Sequence, residues 1–201
     1  MQQLRTVLRQ LKKQHRMLLN QQHALEQRLH MDGVAKQVLE QAAEQIGGHV
    51  ERVEKEITTL ADEEFSDLLK LATSVKGIGK AIATALLTAT NGLTAFSSHK
   101  ELAKFIGIAP TQFHSGTSVR GKGHINRSGD AHLRSLLYAG TWSALRSNRA
   151  CKALYDRLRS KGKPAKVALI AVAHKLLRQI WGVVKHKTLF DNEFEFKEQL
   201  A

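Results

Sequence analysis

The chain has 201 residues, 42% of them hydrophobic, with 2 prolines and 1 cysteine. That length suits one good-sized domain or a domain with an extension, and the single Cys151 excludes an internal disulfide framework. The formal charge of +13 is uneven: Pro110 to Phe190 holds sixteen Lys and Arg against two Asp and Glu, a net +14 that leaves the rest at −1. Such asymmetry points to a polyanionic partner for the second half, nucleic acid first. Aromatic residues are only 5%, and no helix pairs a basic face with Trp and Phe anchors, which argues against a membrane surface.

No signal peptide follows Met1, and no stretch approaches about 18 uninterrupted apolar residues. The expected setting is soluble and intracellular. The first 60 residues carry repeats of seven. Leu4, Leu11, Leu18 and Leu25 form one series, with Leu8, His15, Gln22 and Leu29 between them. Leu39, Ile46, Val53 and Leu60 form another, with Ala43, Val50 and Ile57 between them. This is the coiled-coil pattern. "HMDGV" supplies a turn with Gly33 at its end, so residues 1–62 read as a long antiparallel helical hairpin. Gly47-Gly48 predicts a kink or break in the second helix, since each Gly costs about 1 kcal/mol relative to Ala.

A short helix is expected around Asp62 to Thr73. "SVKGIGKAIATALLTAT" then reads as a tight Gly-x-Gly turn opening an apolar helix that ends near Asn91-Gly92. "FSSHKELAKFIG" has a Ser98–Glu101 capping box and Gly107 as its stop. After the basic stretch described below, Asp130 caps a helix carrying Leu133, Leu136, Leu137 and Leu145. "RACKALYDRLRSKG" is a helix stopped by Gly162. Pro164 opens the most apolar helix, the expected centre of the core, and an acidic tail of residues 191–201 follows. No convincing long strand alternation occurs. The fold class is therefore all-α: a helical hairpin followed by a compact helical domain.

Two segments carry candidate chemistry. "VKGIGKAIATALL" fits a helix-hairpin-helix pattern: Gly77 and Gly79 permit a sharp turn and close approach to a phosphate. The following helix start faces that phosphate, and Lys76 and Lys80 add charge. An ordinary helix–helix turn is the plainer reading. The second segment, "APTQFHSGTSVRGKGHINRSGDAHLR", holds four glycines, four basic side chains, three histidines, three serines and one acid. Arg120, Lys122, Arg127 and Arg134 can each pair with phosphate, and Gly116, Gly121, Gly123 and Gly129 leave the backbone room to approach it. Ser115, Thr117, Ser118 and Ser128 are candidate hydroxyls. A serine becomes a nucleophile only when a base such as His114 or His124 takes its proton and cations offset the phosphate charge. The plainer reading is that these hydroxyls hydrogen-bond phosphate or the loop itself. His114, His124 and His132 match no closed zinc spacing. His174 reads as a core or edge histidine, and Cys151 as a plain half-buried helix residue.

From "SVKGIGKAI" to "LRSLLY", and again in "KGKPAKVALIAVAHKLLRQIWGVVKHK", the chain resembles the C-terminal domain of a family of bacterial insertion-sequence transposases. That family joins an N-terminal RuvC-like domain with Asp/Glu metal ligands to a C-terminal domain bearing a serine; its members are the bridge-RNA-guided DNA recombinases. The resemblance rests on Gly77-x-Gly79, Ala109-Pro110, Ser115-Gly116, the Arg/Lys-Gly pairs and Leu133-Arg134, and covers Ser74 to Lys187. It implies that Ser115 is the nucleophile attacking a DNA phosphodiester during transposition, with Thr117 and Ser118 as fallbacks. Double-stranded DNA is the implied partner, a guide RNA would bind through the RuvC-like domain, and Mg²⁺ would be held there, with no cofactor in this chain. The hairpin is similar to the family's helical spacer and implies homo-oligomers; residues 63–190 would be the serine-bearing domain, in the bacterial cytoplasm at the nucleoid. No RuvC-like domain is visible before Met1, so a chain of this kind is expected to bind DNA without completing recombination alone. Two other readings are a non-enzymatic helix-hairpin-helix DNA-binding module and a coiled-coil adaptor whose basic half binds RNA.

Overall fold

The structure is a computed structural model that describes residues 1–27, 32–111, 114–115, 119–120, 124–125 and 129–193. At 111, 114–115, 119–120 and 124 the description is of backbone alone. The fold is all-α. Seven helices occur among the described residues: α1 (Gln2–Glu26), α2 (Gly33–Ser74), α3 (Lys80–Thr90), α4 (His99–Ile106), α5 (Ala131–Ser147), α6 (Arg149–Ser160) and α7 (Ala165–His186). Between α4 and α5 the backbone pairs briefly as β1 (Pro110–Thr111), β2 (His114–Ser115), β3 (Val119–Arg120) and β4 (His124–Ile125). The chain divides into two compact units, Met1–Glu64 and Phe65–Ala201.

In the first unit the sevenfold repeats decide which face is covered. On α1 the half-buried residues include Leu4, Leu8, Leu11, His15, Leu18, Gln22 and Leu25, and none is fully buried. On α2, Ala43, Val50 and Ile57 are buried, while Leu39, Ile46, Val53 and Leu60 are half-buried. Lys12 pairs with Glu54 at 2.5 Å, and His15 lies beside Gly47, so the contacts run in opposite chain directions. Both charged side chains stay about two-fifths exposed, and such a pair contributes at most about 1 kcal/mol.

The break expected at Gly47-Gly48 does not form there. Non-helical backbone inside α2 occurs instead at Phe65 (φ −124, ψ 24), where the units divide. A Cβ on Gly47 would make ordinary contact with His15 Nε2 at 3.4 Å and one on Gly48 would meet nothing, and the helix continues through both. The helix expected from Asp62 is accordingly the last part of α2, beyond Phe65.

In the second unit α7 is the central element, as its apolar sequence predicted. Leu169, Val172, Ala173, Leu176, Leu177 and Ile180 are buried at three- and four-residue spacing, among α4, α5 and α6. By length and hydropathy α7 could cross a membrane, but half of its apolar window is buried inside this unit, as in the core helix of a soluble domain. Asn91, Gly107 and Gly162 lie in left-handed conformation where α3 and α4 close and where the chain leaves α6. Asp130 Oδ1 accepts from the amides of His132 and Leu133, capping α5 as expected.

Three local expectations need adjustment. Ser98 Oγ accepts from Glu101 N–H, but the Glu101 carboxylate reaches back one residue further, accepting from Ser97 N–H (2.9 Å) and Ser97 O–H (2.7 Å). Those two donors hold the Glu101 pKa below its ordinary value. Pro164 is the residue before the first turn of α7 rather than inside it. Cys151 is fully buried rather than half-buried. At the end of the described chain, Asn192 Oδ1 accepts from Arg149 N–H (3.1 Å), and Glu193 pairs with the Arg149 guanidinium. Residues 194–201, most of the acidic tail, lie outside the described residues.

Candidate nucleic-acid interface

The Gly-x-Gly segment forms a turn from Val75 to Gly79 between α2 and α3, closed by Ile78 N–H to Val75 C=O at 3.0 Å. Gly77 has φ +102, a conformation L side chains rarely adopt, and a Cβ there would lie 2.6 Å from Ala144 Cβ and 2.8 Å from Ala144 Cα. The turn is seated on α5 by a row of residues four apart. Gly140 leaves room for Gly77 C=O, Ala144 lies against Gly77, and Asn148 follows at the end of the helix. Asn148 is buried and donates through Nδ2 to Lys76 C=O at 3.0 Å and to Gln179 Oε1 of α7 at 2.9 Å. Its Oδ1 accepts from Cys151 N–H and caps α6. The turn is thus fastened from α5, α6 and α7 at one point. Lys76 and Lys80 are exposed, and Gly79 is an exposed N-cap for α3 with nothing near its missing side chain. Beside the turn runs a groove of about 450 Å³ lined by Gly77, Ile78, Gly79, Ile82, Leu136, Ala139, Gly140 and Ser143.

The basic segment is a loop held at its base. Pro110 pairs with Ile125 and Thr111 with His124; further out, His114 pairs with Arg120 and Ser115 with Val119, both ladders antiparallel. Below the ladders, Asp130 N–H donates to Phe105 C=O (3.1 Å) and Arg134 Nη1 to Ile106 C=O (3.1 Å). Gly129 packs so closely that a Cβ would overlap the backbone of Ile106 and Gly107. These contacts satisfy the last carbonyls of α4 while fixing where the loop leaves and returns. Ile106 and Ile108, both buried, anchor the base in the core.

Of the predicted site residues, Lys76, Gly77, Gly79 and Lys80 come together on the turn. The backbone of Ser115 and Arg120 sits in the outer ladder. Arg134 is half-buried at the loop base and spends one guanidinium nitrogen on Ile106. Gly116, Lys122 and Arg127 lie outside the described residues, as do Thr117, Ser118, Ser128, Gly121 and Gly123. Among the described residues no three His, Cys, Asp or Glu side chains come together to hold a metal ion. His174 is half-buried, edge-on to His99 at 6.4 Å; burial, with His99 and Arg178 nearby, lowers its pKa.

Sequence reasoning missed Asn148, Gly140, Ala144 and the packing role of Gly129. Ser147-Asn148 ahead of "RACKAL" carried a helix-start signal for Asn148. Small residues at 140 and 144 hinted at close packing without naming the partner.

Residues 69–156 match the Transposase IS116/IS110/IS902 family. That segment contains the turn, the loop and α5 entire. The chain is 28% identical over 138 residues to a Streptomyces coelicolor protein named "Insertion element IS110 uncharacterized 43.6 kDa protein", covering 69% of this chain and 34% of that protein. It is 32% identical over 129 residues to the pilin gene-inverting protein of Moraxella bovis, covering 64% and 40% respectively. A Pseudomonas aeruginosa protein named "Probable family 20 transposase" is 29% identical over 124 residues, covering 58% and 35%. The matched part therefore spans 34% to 40% of the length of these relatives.

Proposed function

We propose that this chain is a DNA-binding part of an insertion-sequence transposase and takes part in DNA rearrangement through Ser115. The observation that supports this most is coincidence in sequence: the family match over 69–156 spans both cationic segments, the turn and the base-held loop. The relatives' names refer to an insertion element, a transposase and pilin gene inversion, all DNA rearrangements.

In this reading Lys76, Gly77, Gly79 and Lys80 hold a duplex by its backbone, which fixes position without reading sequence. Arg120, Lys122, Arg127 and Arg134 hold the phosphate at the loop and offset its charge. Ser115 Oγ attacks phosphorus as its proton passes to a base, with His114 and His124 the nearest candidates by sequence. The P–O bond to one sugar oxygen breaks, that oxygen leaves with a proton, and a phosphoserine diester remains. Attack on that diester by a sugar hydroxyl from another strand reverses the step and frees Ser115. Mg²⁺ belongs to the RuvC-like domain that the resemblance implies. That domain would also carry a guide RNA. The first unit is the helical spacer, and its exposed Val7, Met17, Leu19, Val34 and Val38 suit contact with a second copy in the bacterial cytoplasm.

The test is a covalent-adduct assay with labelled duplex DNA, with and without an added RuvC-like domain. An adduct with the parent chain and none with Ser115→Ala supports the reading. Equal DNA affinity with no adduct in any mixture leaves the non-enzymatic helix-hairpin-helix module. Preference for structured RNA over duplex DNA favours the RNA adaptor instead.

A further inference from the structure

The second unit's positive charge has a third concentration that belongs neither to the Gly-x-Gly turn nor to the loop. It lies where α6 passes into α7, just beyond the family match, in "RLRSKGKPAK". Arg157, Arg159, Lys161, Lys163 and Lys166 fall within ten residues that contain no acid. Every residue from 161 to 167 is exposed, and so are Arg157 and Arg159. Among the described residues no ion pair is formed by Arg157, Lys161, Lys163 or Lys166.

The turn is shaped rather than loose. Gly162 takes φ +70, Lys163 N–H donates to Leu158 C=O at 3.1 Å, and Arg159 Nη1 donates to Lys163 C=O at 2.6 Å. These bonds fix the backbone that presents five cations within ten residues, whose mutual repulsion a bound anion would relieve. A solvated surface needs no such density, whereas a polyphosphate backbone matches it.

Its position follows from helix geometry. Asn148 and Gln179 meet at 2.9 Å beside the Gly-x-Gly turn. From Asn148 to the end of α6 is twelve residues, and from the start of α7 to Gln179 is fourteen. At 1.5 Å per residue both routes place the α6–α7 turn about 20 Å from the Lys76 carbonyl. One DNA strand rises about 3.4 Å per base pair, so this separation corresponds to roughly six steps.

We propose that the α6–α7 turn is a further backbone-gripping surface for duplex DNA, engaging the duplex that the Gly-x-Gly turn holds about six base pairs away. The inference rests on the DNA-binding reading above but not on Ser115. Arg157, Lys161, Lys163 and Lys166 supply the phosphate contacts, and Arg159 braces the turn that presents them.

The test is fluorescence anisotropy with a labelled 30-base-pair DNA duplex, titrated between about 50 and 200 mM NaCl, where counterion release makes the slope report phosphate contacts. The full chain is compared with R157Q/K161Q/K163Q/K166Q and with K13Q/R16Q/R52Q/K55Q, which removes as many exposed charges from the first unit. All substituted side chains are exposed, and circular dichroism melts check that both variants fold. The turn variant is expected to bind at least about tenfold more weakly, with a salt slope shallower by roughly 2 to 4, at about 0.9 per lost contact. The first-unit variant should stay within about threefold of the parent. A turn variant matching a steeply salt-dependent parent overturns this inference and leaves the DNA-binding reading standing. A parent that does not bind, or binds with no salt slope, overturns the DNA-binding reading itself. Equal losses in both variants reduce the effect to net charge and overturn the site. Loss confined to a duplex RNA of the same length overturns the assignment to DNA.

Discussion

Replacing Asn148 with alanine should destabilise the second unit by about 3 kcal/mol. The side chain makes three hydrogen bonds: it donates to Lys76 C=O and Gln179 Oε1, 72 and 31 residues away, and accepts from Cys151 N–H in its own helix cap. Loss of an N-cap bond costs about 1 kcal/mol, and each of the other two contributes about 1 kcal/mol net, with a buried amide left unsatisfied at Cys151. Asn148→Ser keeps an acceptor for the cap but loses both amide donors, so it should cost about 2 kcal/mol. Both tryptophans of the chain, Trp142 and Trp181, lie in the second unit, so their fluorescence in a urea titration reports this unit. At about 2 to 4 °C per kcal/mol, Asn148→Ala should melt roughly 10 °C below the parent. A cost under about 0.5 kcal/mol for Asn148→Ala would mean that the turn is held by packing alone, and the hydrogen-bond argument would be wrong.

Gly77→Ala combines a left-handed φ with a 2.6 Å Cβ contact to Ala144, and should cost more than about 2 kcal/mol in the same titration. Adding Ala144→Gly should recover only part of this, because the 2.8 Å contact with the residue 144 Cα and the φ strain persist; full recovery would refute the strain argument. Gly129→Ala forces a Cβ into the backbone at the end of α4, so the loop base should open and trypsin should cut at Arg120, Lys122 and Arg127 several-fold faster, read by mass spectrometry; an unchanged cutting rate refutes it. Burial first, then His99 and Arg178, lowers the His174 pKa, so the unfolded chain binds a proton there more readily than the folded one. Stability from the neutral imidazole is therefore full above the ordinary value of about 6.5 and declines as pH falls below it. The parent should lose more stability than His174→Gln between about pH 7.5 and pH 5.5, and equal losses would show that His174 is not responsible.

Local chemistry in the sequence determined much of this protein. The sevenfold repeats marked the covered stripe of α1 and α2, apart from Leu29, which lies outside the described residues, because helical periodicity decides which side chains share a face. The caps at Ser98 and Asp130, the stops at Asn91, Gly107 and Gly162, and α7 as the core followed from short-range rules of the same kind. The charge count separated a near-neutral part from the cationic stretch of Pro110 to Phe190 that holds the loop, and glycine spacing singled out the turn.

Tertiary packing decided the rest. Gly47-Gly48 stays helical between the covered Ala43 and Val50, and α2 breaks at Phe65 instead: a propensity cost of about 1 kcal/mol per Gly does not decide where a packed helix ends. Arg134 looked like any other cation until Ile106, 28 residues away, supplied its acceptor. Asn148 shows the limit most plainly: its partners Lys76 and Gln179 lie 72 and 31 residues away, and no local pattern contains them. A sequence states what each residue can donate, accept or bury, but only the assembled helices determine which distant group stands opposite.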